Sequence, residues 1–285
     1  MHLRRADFAG SWYPGEEREC RKSIEIFETD FEPCPLPEKD ILGGIVPHAG
    51  WVFSGAIACN VIKCLGADKS CDTCLIFGKH LHPSSPQYIM ADGWWETPFG
   101  PLHIDAEVAE ALMSDFGFTV ETPEKHDQDN TIELQLPFIK YFMPDAKIVP
   151  LGVPPVSTSL EIGKRAAEIC REKGRKTLVL GSTDLTHYGY NYGFLPKGTG
   201  EQALEWVKTV NDRRVVDLMI EMNGDQVIKE SLNNANACCS GAAAAAIAAA
   251  RELGARKGKI VKYGTSYDVH PDSSFVGYVG ILFGR

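Results

Sequence analysis

Basic residues are in the minority in this chain: 29 Lys and Arg stand against 38 Asp and Glu, a formal net charge of −9. The basic stripe that holds nucleic acid or an anionic membrane surface is therefore not expected. No apolar run approaches the ~20 residues of a membrane span. The opening Met1-His2-Leu3-Arg4-Arg5-Ala6-Asp7 lacks the apolar core of a secretory signal, so a cytoplasmic location is the expectation. An even cysteine count is missing too. Nine cysteines cannot all pair internally, and a cytosolic chain keeps most of them reduced. Cys59, Cys64 and Cys170 fall on helix-like apolar stripes and read as core hydrophobes. Cys71-Asp72-Thr73-Cys74 has C-x-x-C spacing, but no second pair follows at zinc-ribbon spacing and the motif runs straight into a strand. Repeats and low-complexity segments are absent except for the Ala-rich stretch 242–250, a helix that packs closely on its neighbours.

What is present is an ordinary globular balance, 44% hydrophobic and 24% charged residues over 285 positions, which suits one α/β domain spanning 1–285. Strand patterns near 41–47, 73–78, 147–152 and 176–181, with a strand-rich stretch near 87–104, alternate with helical ones near 54–65, 105–116, 131–142, 158–173, 199–222, 224–231 and 240–253. Closing strands follow near 258–266 and 275–283. This order implies βαβ units and a mainly parallel or mixed central sheet with helices on both faces. Two insertions interrupt it, the aromatic stretch His82–Gly100 and the loop Tyr188–Pro196 with three tyrosines and Phe194. Both are expected to lie over the same strand ends, the first as a hairpin or lid.

Three apolar runs end at residues able to hold a metal or move a proton, and in an open α/β sheet ligands bind in the crevice at the carboxyl ends of the strands. Ile41–Val46 runs into Pro47-His48-Ala49-Gly50, where His48 is either a ligand or general base, or a loop histidine bonded to backbone. Thr73–Phe77 leads into Gly78-Lys79-His80-Leu81-His82. His80 and His82 alternate in direction, so one faces the crevice, and His80 lies nearer the strand end. Thr177–Leu180 leads into Gly181-Ser182-Thr183-Asp184-Leu185-Thr186-His187. Asp184 either caps a short helical turn or orients a catalytic imidazole, with His187 as the acid/base candidate. Cys238-Cys239 precedes the Ala-rich helix, where a helix N-terminus lowers a thiol pKa; the pair is a metal ligand or nucleophile, or two core cysteines. Capping accounts for most of His126 to Glu133, with Glu133 as an alternative crevice carboxylate.

Five stretches occur in family order: Ala9-Gly10-Ser11-Trp12-Tyr13-Pro14, Ile45 to Gly55, Thr131 to Phe138, Gly181 to Gly189, and Asp272-Ser273-Ser274. Together they resemble the Memo family, whose fold is similar to the catalytic subunits of class III extradiol dioxygenases, the LigB-like fold. The resemblance implies a site of two histidines and a cysteine, holding one transition-metal ion: Fe(II), Cu or Zn. It carries over His48, leaves His80 against His82 to be decided because the family usually has Gly-Pro-Ser/Asn-His here, and favours Cys238 over Cys239 through its spacing to Glu252-Leu253. Asp184 and His187 match the family's other crevice residues. Two departures are visible. Asp7-Phe8 stands where many relatives place a histidine, and Asp129-Asn130-Thr131 stands where Glu-His-Ser is usual. The implied activity is metal-dependent oxidoreductase or dioxygenase-type chemistry on a small substrate. The alternative is a non-catalytic protein that holds a peptide or small anion in the same crevice, and a radical-SAM-associated partner protein is a further implication. The oligomeric state is left open.

Overall fold

In the computed structural model, which describes residues 2–67 and 70–285, a nine-stranded mixed sheet forms the centre. Its core runs Phe275–Gly284, Ile41–Val46, Thr177–Ser182, Thr73–Gly78, Lys147–Gly152, with Tyr88–Met90 and Thr119–Glu121 beyond on one side. Ile41–Val46, Thr177–Ser182, Thr73–Gly78 and Lys147–Gly152 pair parallel, and Phe275–Gly284 closes the row antiparallel to Ile41–Val46. Lys257–Thr265 and the short His187–Tyr188 both pair antiparallel with Phe275–Gly284.

The central strands are buried on both faces, and their side chains alternate between two cores as period-two geometry requires. Ile45, Leu75, Phe77, Val149, Leu151 and Val179 point to the face covered by Ala106–Asp115, Thr158–Glu172, Asp212–Ile220 and Ser240–Glu252. Val46, Cys74, Ile76, Ile148 and Leu180 point to the face covered by Glu17–Thr29, Trp51–Leu65 and Leu136–Phe142. The Ala-rich helix Ser240–Glu252 packs closely, as its composition requires. A Cβ at Gly163 of the neighbouring helix would overlap the Ala245 carbonyl.

Four features differ from the sequence expectation. Glu17–Thr29 is a helix that was not expected; it has no side-chain cap, and only Cys20 and Ile24 are buried. The helix expected over 131–142 is two short ones, Asn130–Glu133 and Leu136–Phe142, because Pro137 cannot donate a backbone hydrogen bond inside a continuous helix. The long helix expected over 199–222 widens into a π turn at Val207–Asn211. Cys64 is not a free core thiol: it is disulfide-bonded to Cys34. Among the described residues no helix is long and apolar enough to cross a membrane.

Candidate metal centre

The parallel register brings the strand ends level. Val46 pairs with Ser182, and Phe77 with Gly181, so the loops carrying His48, His80 and Asp184 leave the sheet side by side. The fourth contributor comes from far along the chain. The Cys238 amide donates to the Asp184 carbonyl at 3.2 Å, which ties the start of the Ala-rich helix to the same strand ends. As a result His48, His80, Cys238 and Cys239 each offer a ligand atom within 4.8 Å of the others. The His48 and His80 rings meet edge to face, centroids 4.9 Å apart, and Cys238 Sγ lies 3.3 Å from His48 Nε2.

Hydrogen bonds determine which ring nitrogens are left to donate. Ser182 Oγ donates to the Thr131 carbonyl at 2.7 Å and therefore accepts from His48 Nδ1 at 2.9 Å. Asp129 Oδ2, which can only accept, lies 3.1 Å from His80 Nδ1 and 3.0 Å from the His80 amide. Both imidazoles thus hold their proton on Nδ1 and turn Nε2 toward Cys238, the arrangement in which outer partners orient metal-binding histidines. Asn130 Nδ2 on the His48 carbonyl (2.7 Å) and Gln135 Nε2 on the Pro47 carbonyl (2.9 Å) hold the first loop.

The two adjacent thiols behave oppositely. Burial disfavours the charged form of Cys238, but a hydrogen bond from Cys239, the charge of His48, and hydrogen bonds from His48 and His80 outweigh it, so its thiol ionises well below the ordinary range. Cys239, buried with its sulfur 3.8 Å from that of Cys238, is held well above that range by burial, by its contact with Cys238 and by its neighbour's charge. Burial also works against a charged His80, yet the hydrogen bonds to Asp129 and Cys238 raise it to about 10. Without a metal the cluster is a thiolate facing imidazolium, the charge pattern that a cation displaces.

The remaining candidates fall as follows. Asp184 caps no helix, because residues 183–186 are irregular. Its Oδ1 accepts the His48 amide at 2.7 Å and its Oδ2 lies 3.9 Å from His48 Nε2. Its carboxyl is raised by burial, with His48 opposing. His187 lies beside it, with Nδ1 3.2 Å from the Leu185 carbonyl and its ring edge-on to Tyr192 at 4.9 Å. His82 is exposed, turned to Ser84 Oγ at 2.9 Å, and outside the cluster. Glu133 does not enter the crevice. Fully buried, it accepts from the amides of Asp7 (2.9 Å) and Phe8 (2.7 Å) and from the Tyr13 hydroxyl (3.1 Å).

These groups border a cavity of about 500 Å³ whose lining includes His48, His80, Asp184 and His187. Of the two aromatic insertions only Tyr188–Pro196 reaches it, through Tyr192. His82–Gly100 is no lid over this crevice. Tyr88–Met90 joins the central sheet, and Trp94–Trp95 pairs with Leu3–Arg4 and Leu102–His103 in a separate small sheet, Trp94 stacking on His103. The aromatic wall comes instead from Trp12 and Phe53, 42% and 40% exposed. Sequence reasoning also passed over Ser182 and Asp129 as holders of the two imidazoles. Only the departure at Asp129-Asn130-Thr131 hinted at them.

A family model described as Memo-like protein matches residues 4–282. The chain belongs to the Memo family. Among its relatives, the MEMO1 family protein of Methanopyrus kandleri is 34% identical over 97% of both chains. That of Methanothermobacter thermautotrophicus is 35% identical over 97% of this chain and 98% of its own. An uncharacterized Escherichia coli K12 protein of solved structure is similar in fold, with a TM-score of 0.56 and 10% identity, over 86% of this chain and 100% of that one. The Memo motifs, scattered in sequence, meet in space. Glu133 of the third motif holds the first at Tyr13 and at Phe8 just before it, Trp51 of the second donates to Leu134 of the third at 3.1 Å, and Asp272 and Ser274 of the last line the cavity.

Proposed function

We propose that this Memo-family protein binds one transition-metal ion through His48, His80 and Cys238 and uses its crevice for redox or dioxygenase-type chemistry on a small substrate. The observation that carries this reading is the approach of two Nε2 atoms and a low-pKa thiol at the end of an open cavity. Two imidazoles and a thiolate form a softer set than two imidazoles and a carboxylate, which keeps Cu and Zn beside Fe(II) as candidates. A bound ion of this kind supplies Lewis-acid or one-electron chemistry at an open coordination position. The chain's own groups supply the rest. His187, its Nδ1 turned to the Leu185 carbonyl, keeps Nε2 to accept and return a proton. Asp184 holds the His48 backbone and places its carboxyl beside His48 and His187. Tyr192, Trp12 and Phe53 restrict water at the mouth.

One observation favours a second reading, binding without turnover: the rim carries Val52, 78% exposed, beside Trp12, Phe53 and Tyr192, an apolar surface suited to a peptide ligand. Metal analysis of protein purified without oxygen separates the two, with His48→Ala and Cys238→Ser alongside. The metal reading expects stoichiometric metal in the wild type, lost in both variants, and oxygen uptake on a catechol or thiol panel. A metal-free wild type that still binds its ligand overturns it.

A further inference from the structure

Behind His187 lies a carboxylate that the site as described does not use. Asp212 is fully buried, and among the described residues no lysine, arginine or histidine forms an ion pair with it. Its Oδ1 accepts both the amide (3.0 Å) and the hydroxyl (2.5 Å) of Thr186, and its Oδ2 accepts the Tyr263 hydroxyl at 2.7 Å. The Thr186 hydroxyl in turn accepts from Asn211 Nδ2 at 2.9 Å. Two consecutive residues therefore converge on the one residue that precedes His187. They do so at the end of the π turn Val207–Asn211, a widening of the helix that recurs at functional sites.

The neighbouring strand is shaped to admit this carboxylate. A Cβ at Gly277 would overlap Asp212 Oδ2, while the Gly277 backbone bonds Leu185 and Thr186 on either side, at 2.9 and 3.0 Å. Burial pushes Asp212 up to about 6, with the Thr186 and Tyr263 hydrogen bonds and the charge of His187 opposing. An apolar side chain would fill the same space without that desolvation cost. What the carboxylate adds is direction: it fixes the Thr186 peptide, from which the His187 ring projects between the Leu185 carbonyl and Tyr192. Asn236 Nδ2 on the Asn211 carbonyl, 2.8 Å, extends the network to within two residues of Cys238.

We propose that Asp212 is a positioning residue for His187, clamping the Thr186–His187 peptide against the strand Phe275–Gly284. The proposal rests on reading His187 as the proton-handling group of the crevice. The clamp decides which ring nitrogen of His187 carries the proton, and so which one is offered to the cavity.

The test is a spectroscopic one on metal-free protein labelled with ¹⁵N-histidine, with the His187 ring signals assigned by their disappearance in His187→Gln. The wild type is expected to show His187 as the Nδ1–H tautomer. Asp212→Ala is expected to convert it to a tautomer mixture, Tyr263→Phe to do so in part, and Asp212→Asn, which keeps an acceptor for Thr186, to retain the wild-type signature. His48 and His80 signals stay in place throughout. Unchanged His187 signals in Asp212→Ala overturn the proposal. So does a collapse of all histidine signals in Asp212→Ala accompanied by no His187 change in Tyr263→Phe, which would make Asp212 a residue of the fold alone. The readout needs no turnover. A protein inactive on every substrate but showing the His187 shift counts against the redox reading and leaves the clamp standing.

Discussion

The half-buried Cys238 and the buried cysteines of the helical layers have opposite chemistry. In the helical layers on either face of the sheet, Cys20 and Cys59 are pushed up to about 12 and Cys170 to about 11, with burial the largest cause for each. At the strand ends Cys238 is desolvated as well, yet its thiol is lowered, because Cys239, His48 and His80 direct protons and charge at its sulfur. Burial alone makes a thiol inert; burial among donors makes it a thiolate. The difference is in the neighbours, and it separates packing from chemistry within one residue type.

The comparison is broken most completely by metal itself. Cys238→Ser is expected to lose metal retention entirely, while Cys239→Ser keeps at least half, measured by elemental analysis after anaerobic purification. Equal loss in both would erase the distinction between the neighbours. Next in size is reactivity: in metal-free protein at neutral pH, iodoacetamide should alkylate Cys238 at least about a thousandfold faster than Cys59 or Cys170. Peptide mapping over time decides it, and simultaneous labelling would mean that the thiolate is not formed.

A buried carboxylate gives a third contrast, with a sign. Asp212 is raised from 3.8 to about 6 in the folded protein, so the native state holds the proton more tightly than the unfolded chain. Stability therefore falls as pH rises from about 4 to about 6. From two pKa units that loss is roughly 3 kcal/mol. Asp212→Asn should lack it, so the difference between variant and wild type in chemical denaturation should grow across that window and then level off. A flat difference refutes the raised pKa. Smaller again, Asp129→Ala frees His80 Nδ1 and should weaken metal binding about tenfold without abolishing it. Least affected, Cys59→Ala should cost about 1 kcal/mol of stability and leave metal binding unchanged.

The α/β alternation was legible because long apolar strands and helices of ordinary length carry strong periodicity, and Ile41–Val46, Thr73–Gly78, Lys147–Gly152 and Thr177–Ser182 lie where that periodicity places them. Glu17–Thr29 escaped notice although its apolar residues share one face, because they are few and no capping side chain marks where the helix starts. The insertion His82–Gly100 carries strands, with Trp94–Trp95 pairing antiparallel to Leu102–His103, but it is no lid, because aromatic content marks a packed segment whether it lies beside a site or, as here, within a small separate sheet. Glu133 misled for a related reason: a carboxylate in a polar motif suits a crevice, but a loop from the other end of the chain claims all its hydrogen bonds.

The sequence by itself determined that strand ends would gather His48, the His80/His82 loop, and Asp184 with His187, since parallel βαβ units bring carboxyl ends together whatever the side chains. Family resemblance added the cysteine. Only the tertiary structure brings His80 into the cluster and leaves His82 outside it, because Asp129, 49 residues away, accepts from both the amide and Nδ1 of His80. It alone also distinguishes Cys238 from Cys239. Adjacent residues have the same sequence context, and what separates them is the orientation of each sulfur toward two imidazoles brought in from opposite parts of the chain.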